Sequence, residues 1–127
     1  MIDISHLDHL VLTVADSQRS IDFYTRVLGF KAVTFGDNRK ALVFGQQKIN
    51  LHVKGQSIAP HAQNPVCGSA DLCFIARTAL EQVIAHLRHQ GVKIESDIVE
   101  RTGARGKIRS IYLRDPDQNL IEISNYL

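Results

Sequence analysis

Two histidines and two carboxylates, His9, His52, Asp71 and Glu122, fall in segments that read as β-strands. Gly29 follows His9 by the same interval, 20 residues, as Gly91 follows Asp71. The text around these anchors repeats in kind. His9-Leu10-Val11-Leu12-Thr13-Val14 leads to a helix ending at Gly29-Phe30-Lys31, and Asp71-Leu72-Cys73-Phe74-Ile75 leads to one ending at Gly91-Val92-Lys93. His52 and Glu122 follow the two glycines by 23 and 31 residues, so on this pairing the second half carries 8 more residues. They are expected in the loop around Thr102-Gly103-Ala104-Arg105-Gly106. A duplicated unit with four polar strand residues at matching points suggests a two-fold arrangement converging on one site. Two imidazoles and two carboxylates at one point form a donor set for a divalent metal, and they suit Zn, Mn, Fe, Co or Ni.

The elements that must position these groups are legible from periodicity and punctuation. In the first unit, Leu10, Leu12 and Val14 alternate with His9, Val11 and Thr13, the period of a strand. Ile21, Tyr24, Val27 and Leu28 give the next segment a helical stripe, with Ser17 or Ser20 as its expected N-cap and Gly29 as its end. Strands are expected over 31–35, 40–44 and 48–53, with turns at Gly36-Asp37-Asn38 and Gly45-Gln46-Gln47. A polar stretch over 55–68, with Pro60 and Pro65, separates the units. In the second unit, Thr78 and Glu81 have the spacing of a capping box. Leu80, Val83, Ile84 and Leu87 form the buried stripe of the helix that follows. Strands are expected near 92–99, 107–114 and 119–125, the last two joined by the turn Asp115-Pro116-Asp117-Gln118-Asn119. Strand parity puts Ile121 and Ile123 on one face and Glu122 on the other, and likewise separates Leu51 and Val53 from Asn50 and His52. The apolar faces suit packing beneath the helices, which turns the polar members toward a concave face.

The fold expected is α+β. Two βαβββ modules, about 5–54 and about 69–127, form a curved, mostly antiparallel sheet around a metal-binding cavity within one domain spanning 1–127. A module of about 60 residues buries only a marginal core alone, so the modules are expected to share a core or to exchange partners with a second chain. The net charge of +2 is too mild for nucleic-acid binding, and no basic stripe carries interleaved aromatics. No segment approaches the roughly 18 apolar residues of a membrane span. Met1-Ile2-Asp3-Ile4-Ser5 does not read as a signal peptide, so a cytoplasmic protein is expected. Cys67 and Cys73 lack metal-site spacing and read as reduced thiols, Cys73 as a buried strand residue. His6, His61, His86 and His89 have no counterpart in the repeat and read as surface residues. Arg101, Arg105, Lys107, Arg109 and Arg114 read as a solvated edge, with Arg105 or Arg109 available to an anionic substrate group.

Three stretches resemble the vicinal oxygen chelate superfamily, which includes glyoxalase I, methylmalonyl-CoA epimerase, extradiol dioxygenases and the fosfomycin- and bleomycin-resistance proteins. They are Leu7-Asp8-His9-Leu10-Val11-Leu12-Thr13-Val14, Ser20-Ile21-Asp22-Phe23-Tyr24 through Val27-Leu28-Gly29-Phe30, and Arg114-Asp115-Pro116-Asp117 through Asn119-Leu120-Ile121-Glu122-Ile123. Small glyoxalase-domain proteins are the nearest in kind, through Lys48-Ile49-Asn50-Leu51-His52 and Ser69-Ala70-Asp71-Leu72-Cys73. The resemblance implies metal ligands at His9, His52, Asp71 and Glu122, with the ligand types at the second and third positions exchanged relative to glyoxalase I. Asp71 reads as either a direct ligand or an acceptor orienting a histidine. Thr13 and Gln56 stand where bacterial glyoxalase I carries an arginine and an asparagine, which argues against glutathione as substrate. Gln118 stands where the family often has glycine, so Asn119 is expected to take the strained turn conformation.

The function expected is a divalent-metal-dependent lyase or isomerase of the glyoxalase type. It chelates a small substrate through two adjacent oxygens and stabilises an enediolate-type intermediate, with Glu122 as the base. An Fe(II) extradiol-type dioxygenase and a non-catalytic metabolite- or drug-binding protein are the alternatives, and thiol transfer to an epoxide is a further one. A homodimer is expected.

Overall fold

The computed structural model describes all residues, 1–127. Two compact units divide the chain, Met1–Cys67 and Gly68–Leu127. The first contains β1 (His9–Val14), α1 (Ser17–Arg26), β2 (Lys31–Phe35), β3 (Arg39–Phe44) and β4 (Gln47–Val53). The second contains β5 (Asp71–Ile75), α2 (Leu80–His89), β6 (Val99–Gly103), β7 (Gly106–Arg114) and β8 (Leu120–Tyr126). The βαβββ pattern thus occurs twice in an α+β fold, each time on an open, curved four-stranded sheet. The strand orders are β1-β4-β3-β2 and β5-β8-β7-β6. In each sheet the first strand runs parallel to the last, and the other two pairings are antiparallel.

In the first unit, α1 packs through Ser20, Phe23, Tyr24 and Val27, a spacing that lines one side of a helix. Beneath it lie Leu12, Val14, Leu42, Ile49 and Leu51, all buried and all of one strand parity. Tyr24 stacks on Phe30, and Phe30 on Phe44 at 4.5 Å between centroids. In the second unit, Leu80 and Leu87 of α2 share a core with Ile111, Leu113, Ile121 and Ile123. Gly29 and Gly91 both take φ +73°, a left-handed conformation that suits glycine and ends both helices alike.

Several local expectations are corrected. The cap of α1 is Asp16, not Ser17 or Ser20: its Oδ1 accepts from the backbone N–H of Gln18 at 2.9 Å and of Arg19 at 3.2 Å. A carboxylate there meets both orphan donors and the positive end of the helix dipole. The Thr78–Glu81 capping box does not form. The cap residue is Ala79, which makes no side-chain cap bond. Asn125 of β8 supplies the missing acceptor: its Oδ1 accepts from Leu80 N–H at 2.8 Å, and its Nδ2 donates to the carbonyls of Thr78 and Ala76 at 2.9 and 3.1 Å. Glu81 is taken by Arg109 in a two-pronged ion pair at 2.6 and 2.8 Å, which holds its carboxyl at about 2.

β6 begins at Val99, so most of the strand expected over 92–99 is irregular. The extra length of the second unit lies before β6, in the nine-residue β7 and in the turn at 115–119. The β6–β7 hairpin turns on only Ala104 and Arg105. Gln118, not Asn119, takes the left-handed conformation, at φ 69°. Asn119 is fully buried and donates to Asp115 Oδ2 at 2.8 Å, while its Oδ1 accepts from Ala70 N–H at 2.9 Å. That side chain ties the start of β5 to the start of β8, the two strands that carry Asp71 and Glu122. No helix is long and apolar enough to cross a membrane.

Candidate functional site

Strand register decides which side chains can meet. In the second unit Asp71 pairs with Leu120, and Cys73 with Glu122. Asp71, Cys73, Glu122, Ser124, Ser110 and Tyr112 therefore share the face opposite α2. Glu122 Oε2 accepts from Ser110 Oγ at 2.6 Å and from Ser124 Oγ at 3.3 Å. Both serines are fully buried and lie 2.6 Å apart. One carboxylate oxygen is thereby fixed by two hydroxyls, while Oε1 lies outside these bonds. Cys73 is exposed rather than buried. Its Sγ lies 3.3 Å from Ser124 Oγ. Local desolvation pushes the thiol up, the Ser124 contact opposes this, and the nearby Glu122 adds to the rise. A thiol held in its protonated form is a poor nucleophile.

In the first unit His9 pairs with Lys48, Val11 with Asn50, and Thr13 with His52. His9, Asn50 and His52 share the face opposite α1, as parity requires. The equivalence of His52 with Glu122 is nevertheless corrected. Two residues separate the first-strand ligand position from the last-strand one in the Asp71–Glu122 unit, and the same offset from His9 arrives at Asn50. His52 is the counterpart of Ser124. With a rise of about 3.3 Å per residue and about 4.8 Å between strands, His9 and Asn50 are roughly 8 Å apart at Cα, whereas His9 and His52 are roughly 14 Å apart. The longer distance is the outer limit of what two imidazoles on one ion span, with metal–nitrogen bonds of about 2.1 Å.

Asn50 is buried, and its Oδ1 has no hydrogen-bond partner. His52 is 4% exposed, and neither ring nitrogen has a partner. Its pKa is lowered by burial first, then by the charges of Arg39 and His61. His9 is half exposed, and its Nδ1 lies 2.8 Å from Asp8 Oδ2. A carboxylate only accepts, so Nδ1 carries the proton, and Nε2 keeps its lone pair for a ligand. The same bond holds the Asp8 carboxyl below its usual range.

On the sheet face away from its helix, the first unit carries His9 and Asn50, and the second carries Asp71 and Glu122. No three His, Cys, Asp or Glu side chains of the chain gather into a group that could hold a metal ion. The donor types fit a divalent ion. One imidazole is oriented by a carboxylate, two carboxylates stand on the second sheet, and a buried amide oxygen lacks any other partner. Sequence reasoning missed Asn50, Asp8, Ser110 and Ser124. The signal for Asp8 was its place next to His9. Of the arginines, Arg109 is on the helix side of its sheet and is spent on Glu81 and Asn125. Arg101 instead faces the Glu122 side, where its Nε donates to Tyr112 Oη at 3.1 Å.

The sequence model of the glyoxalase/bleomycin resistance protein/dioxygenase superfamily matches residues 6–123. The chain belongs to that superfamily. It is 56% identical over 124 residues to "Virulence protein STM3117" of Salmonella typhimurium, covering 98% of this chain and 86% of that protein. The crystal structure of that protein superposes with a TM-score of 0.98, covering 99% of this chain and 100% of that one. The chain is also 51% identical over 125 residues to "Glyoxalase domain-containing protein RDO1" of Mycosarcoma maydis, covering 98% of this chain and 70% of that protein. Integron cassette protein VCH_CASS1 of V. cholerae is 57% identical, with a TM-score of 0.98, covering 100% of this chain and 99% of that one. The superfamily includes glyoxalase-type enzymes. Its members often bind a divalent metal, take small-molecule substrates and commonly dimerise.

Proposed function

We propose that this protein is a divalent-metal-dependent lyase or isomerase of the glyoxalase type, acting on a small substrate with two adjacent oxygens. The observation that carries this reading is the repeated register. First-strand and last-strand polar residues stand at the same two-residue offset in both units, always on the face away from the helix. His9, Asp71 and Glu122 are the proposed metal ligands, with the amide oxygen of Asn50 as the fourth. His52, the histidine first expected in that place, stands outside the set on this reading.

When bound, the ion supplies Lewis acidity to a substrate carbonyl. The chain's own groups do the rest. The Asp8 carboxylate keeps the His9 proton on Nδ1 and so fixes the ring's orientation. Ser110 and Ser124 hold Glu122 by one oxygen; the other would ligate the ion and, once released from it, take a proton from the carbon next to the substrate carbonyl.

Metal content after reconstitution tests the reading. One equivalent of divalent ion per site is expected, lost in His9→Ala and lowered in Asn50→Ala, but retained in His52→Leu. A protein that binds no divalent ion after reconstitution would sink it. Oxygen uptake with catechols by the iron-loaded protein would assign it to the dioxygenases instead.

A further inference from the structure

His52 is the polar residue that the metal reading leaves without a task. Its ring is buried, and both nitrogens lack hydrogen-bond partners. A buried polar group without a partner is costly. A chain that keeps an imidazole there has some other use for it. Arg39 sits one step beyond the Lys40–Leu51 pair, which sets it across from His52 on the neighbouring strand and on the same face. Its guanidinium lies over the Phe35 ring at 4.9 Å, and Lys48 Nζ lies over the same ring at 3.9 Å. Neither cation forms an ion pair within the chain. Two cations thus share one ring on the strands beside the buried imidazole; the charge of Asp8 reaches Lys48, while Arg39 has no carboxylate partner.

We infer that His52 and Arg39 form an anion anchor, so that the substrate carries a carboxylate at the end remote from its metal-binding oxygens. The inference rests on the proposed metal reading for the other end of the substrate. Spacing sets the length: His52 lies two strand residues beyond Asn50, about 7 Å along β4. The substrate class is therefore a short acid with adjacent oxygens at one end and a carboxylate several bonds away. Arg39 supplies a charge-assisted hydrogen bond and His52 an N–H in a site shielded from water, where such bonds are strongest.

Two hydroxamates of matched shape test this in the metal-loaded protein. One is succinomonohydroxamate, which ends in a carboxylate; the other is 4-methylpentanohydroxamate, which ends in two methyls. Calorimetry is expected to show the carboxylate probe binding at least about tenfold more tightly, as a charge-assisted pair predicts. His52→Leu and Arg39→Gln should erase that preference, with metal content and affinity for the methyl probe unchanged. Equal binding of the two probes by the unmodified protein overturns the anchor, as does a preference that survives both substitutions. Loss of metal in His52→Leu overturns it too, because His52 would then be a ligand.

A second measurement separates this inference from the metal reading. In the metal-free protein, succinate should shift the His52 ring signals in NMR, identified by their loss in His52→Leu, and Arg39→Gln should remove the shift. If that shift occurs but neither hydroxamate binds the metal-loaded protein, the metal reading fails while the anchor stands. No shift means that the anchor fails.

Discussion

Within the chain Glu122 is held by two hydroxyls, Ser110 and Ser124, which fix one oxygen and leave the other for the ion or for a substrate proton. Glu122→Gln keeps the shape and removes the base. Turnover is expected to fall by at least about 10²-fold, the scale of a lost general base. Ser110→Ala removes the 2.6 Å donor without touching the proposed metal set. Turnover is expected to fall about tenfold, or about 1.4 kcal/mol of barrier, with metal content unchanged. Steady-state rates with metal analysis alongside check both, and unaltered turnover in Glu122→Gln would remove it from the chemistry.

At the scale of elements, the second helix depends on a strand far along the chain. Asn125 closes the start of α2 with one accepted and two donated hydrogen bonds. Asn125→Ala leaves a backbone N–H and two carbonyls to find other partners. A loss of about 1–3 kcal/mol is expected in denaturant unfolding, the range for an uncapped helix end with unmet buried groups. A change within about 0.5 kcal/mol, the size of an ordinary surface substitution, would show that the cap is dispensable.

Arg109 holds the next residue of the same helix. The Glu81 pKa is about 2 in the folded chain, below its ordinary value of 4.5. A depressed carboxylate contributes stability above its unfolded pKa and loses it as pH falls through the folded one. The Tm advantage of the unmodified protein over Glu81→Gln should therefore be constant from neutral pH down to about 5, then fade toward pH 2. An advantage that persisted at pH 2 would mean that the pair contributes through shape and not through charge.

Parity was legible in the sequence, but register was not, and the reason is physical. Asn50 and His52 are two apart on one strand, so the alternation of side chains assigns both to the same face. Only the pairing with β1 shows which of them stands two steps beyond His9, and pairing is a long-range property. Choosing by residue type favoured the imidazole, and the amide was the equivalent position. The cap of α2 was hidden for a similar reason. Thr78 and Glu81 have the right spacing, yet Asn125 and Arg109, both from later strands, take their places. The two helices, their closing glycines and the apolar face of each sheet were readable because they depend on local period and local φ.

At the scale of the whole molecule, the sheet faces away from the helices carry exposed apolar side chains. Val11, Val33 and Ile75 share those faces with His9 and Asp71, and all three are exposed. Each unit is about 60 residues, a size with a marginal core. A homodimer is the proposed assembly, because a closed two-fold pairing covers such surfaces without leaving a free edge. Light scattering at micromolar concentration should give twice the chain mass of 14.2 kDa. A mass equal to one chain would remove the dimer from the account.

The central claim is that His9, Asn50, Asp71 and Glu122 hold one divalent ion while His52 serves the substrate. Anomalous diffraction from crystals of the cobalt-loaded protein tests it most directly. The account predicts a single peak about 2.0–2.2 Å from His9 Nε2 and from a carboxylate oxygen of Glu122, with Asn50 and Asp71 beside it and the His52 ring free of it. A peak bonded to His52 in place of Asn50, or no peak near His9 and Glu122, would contradict it.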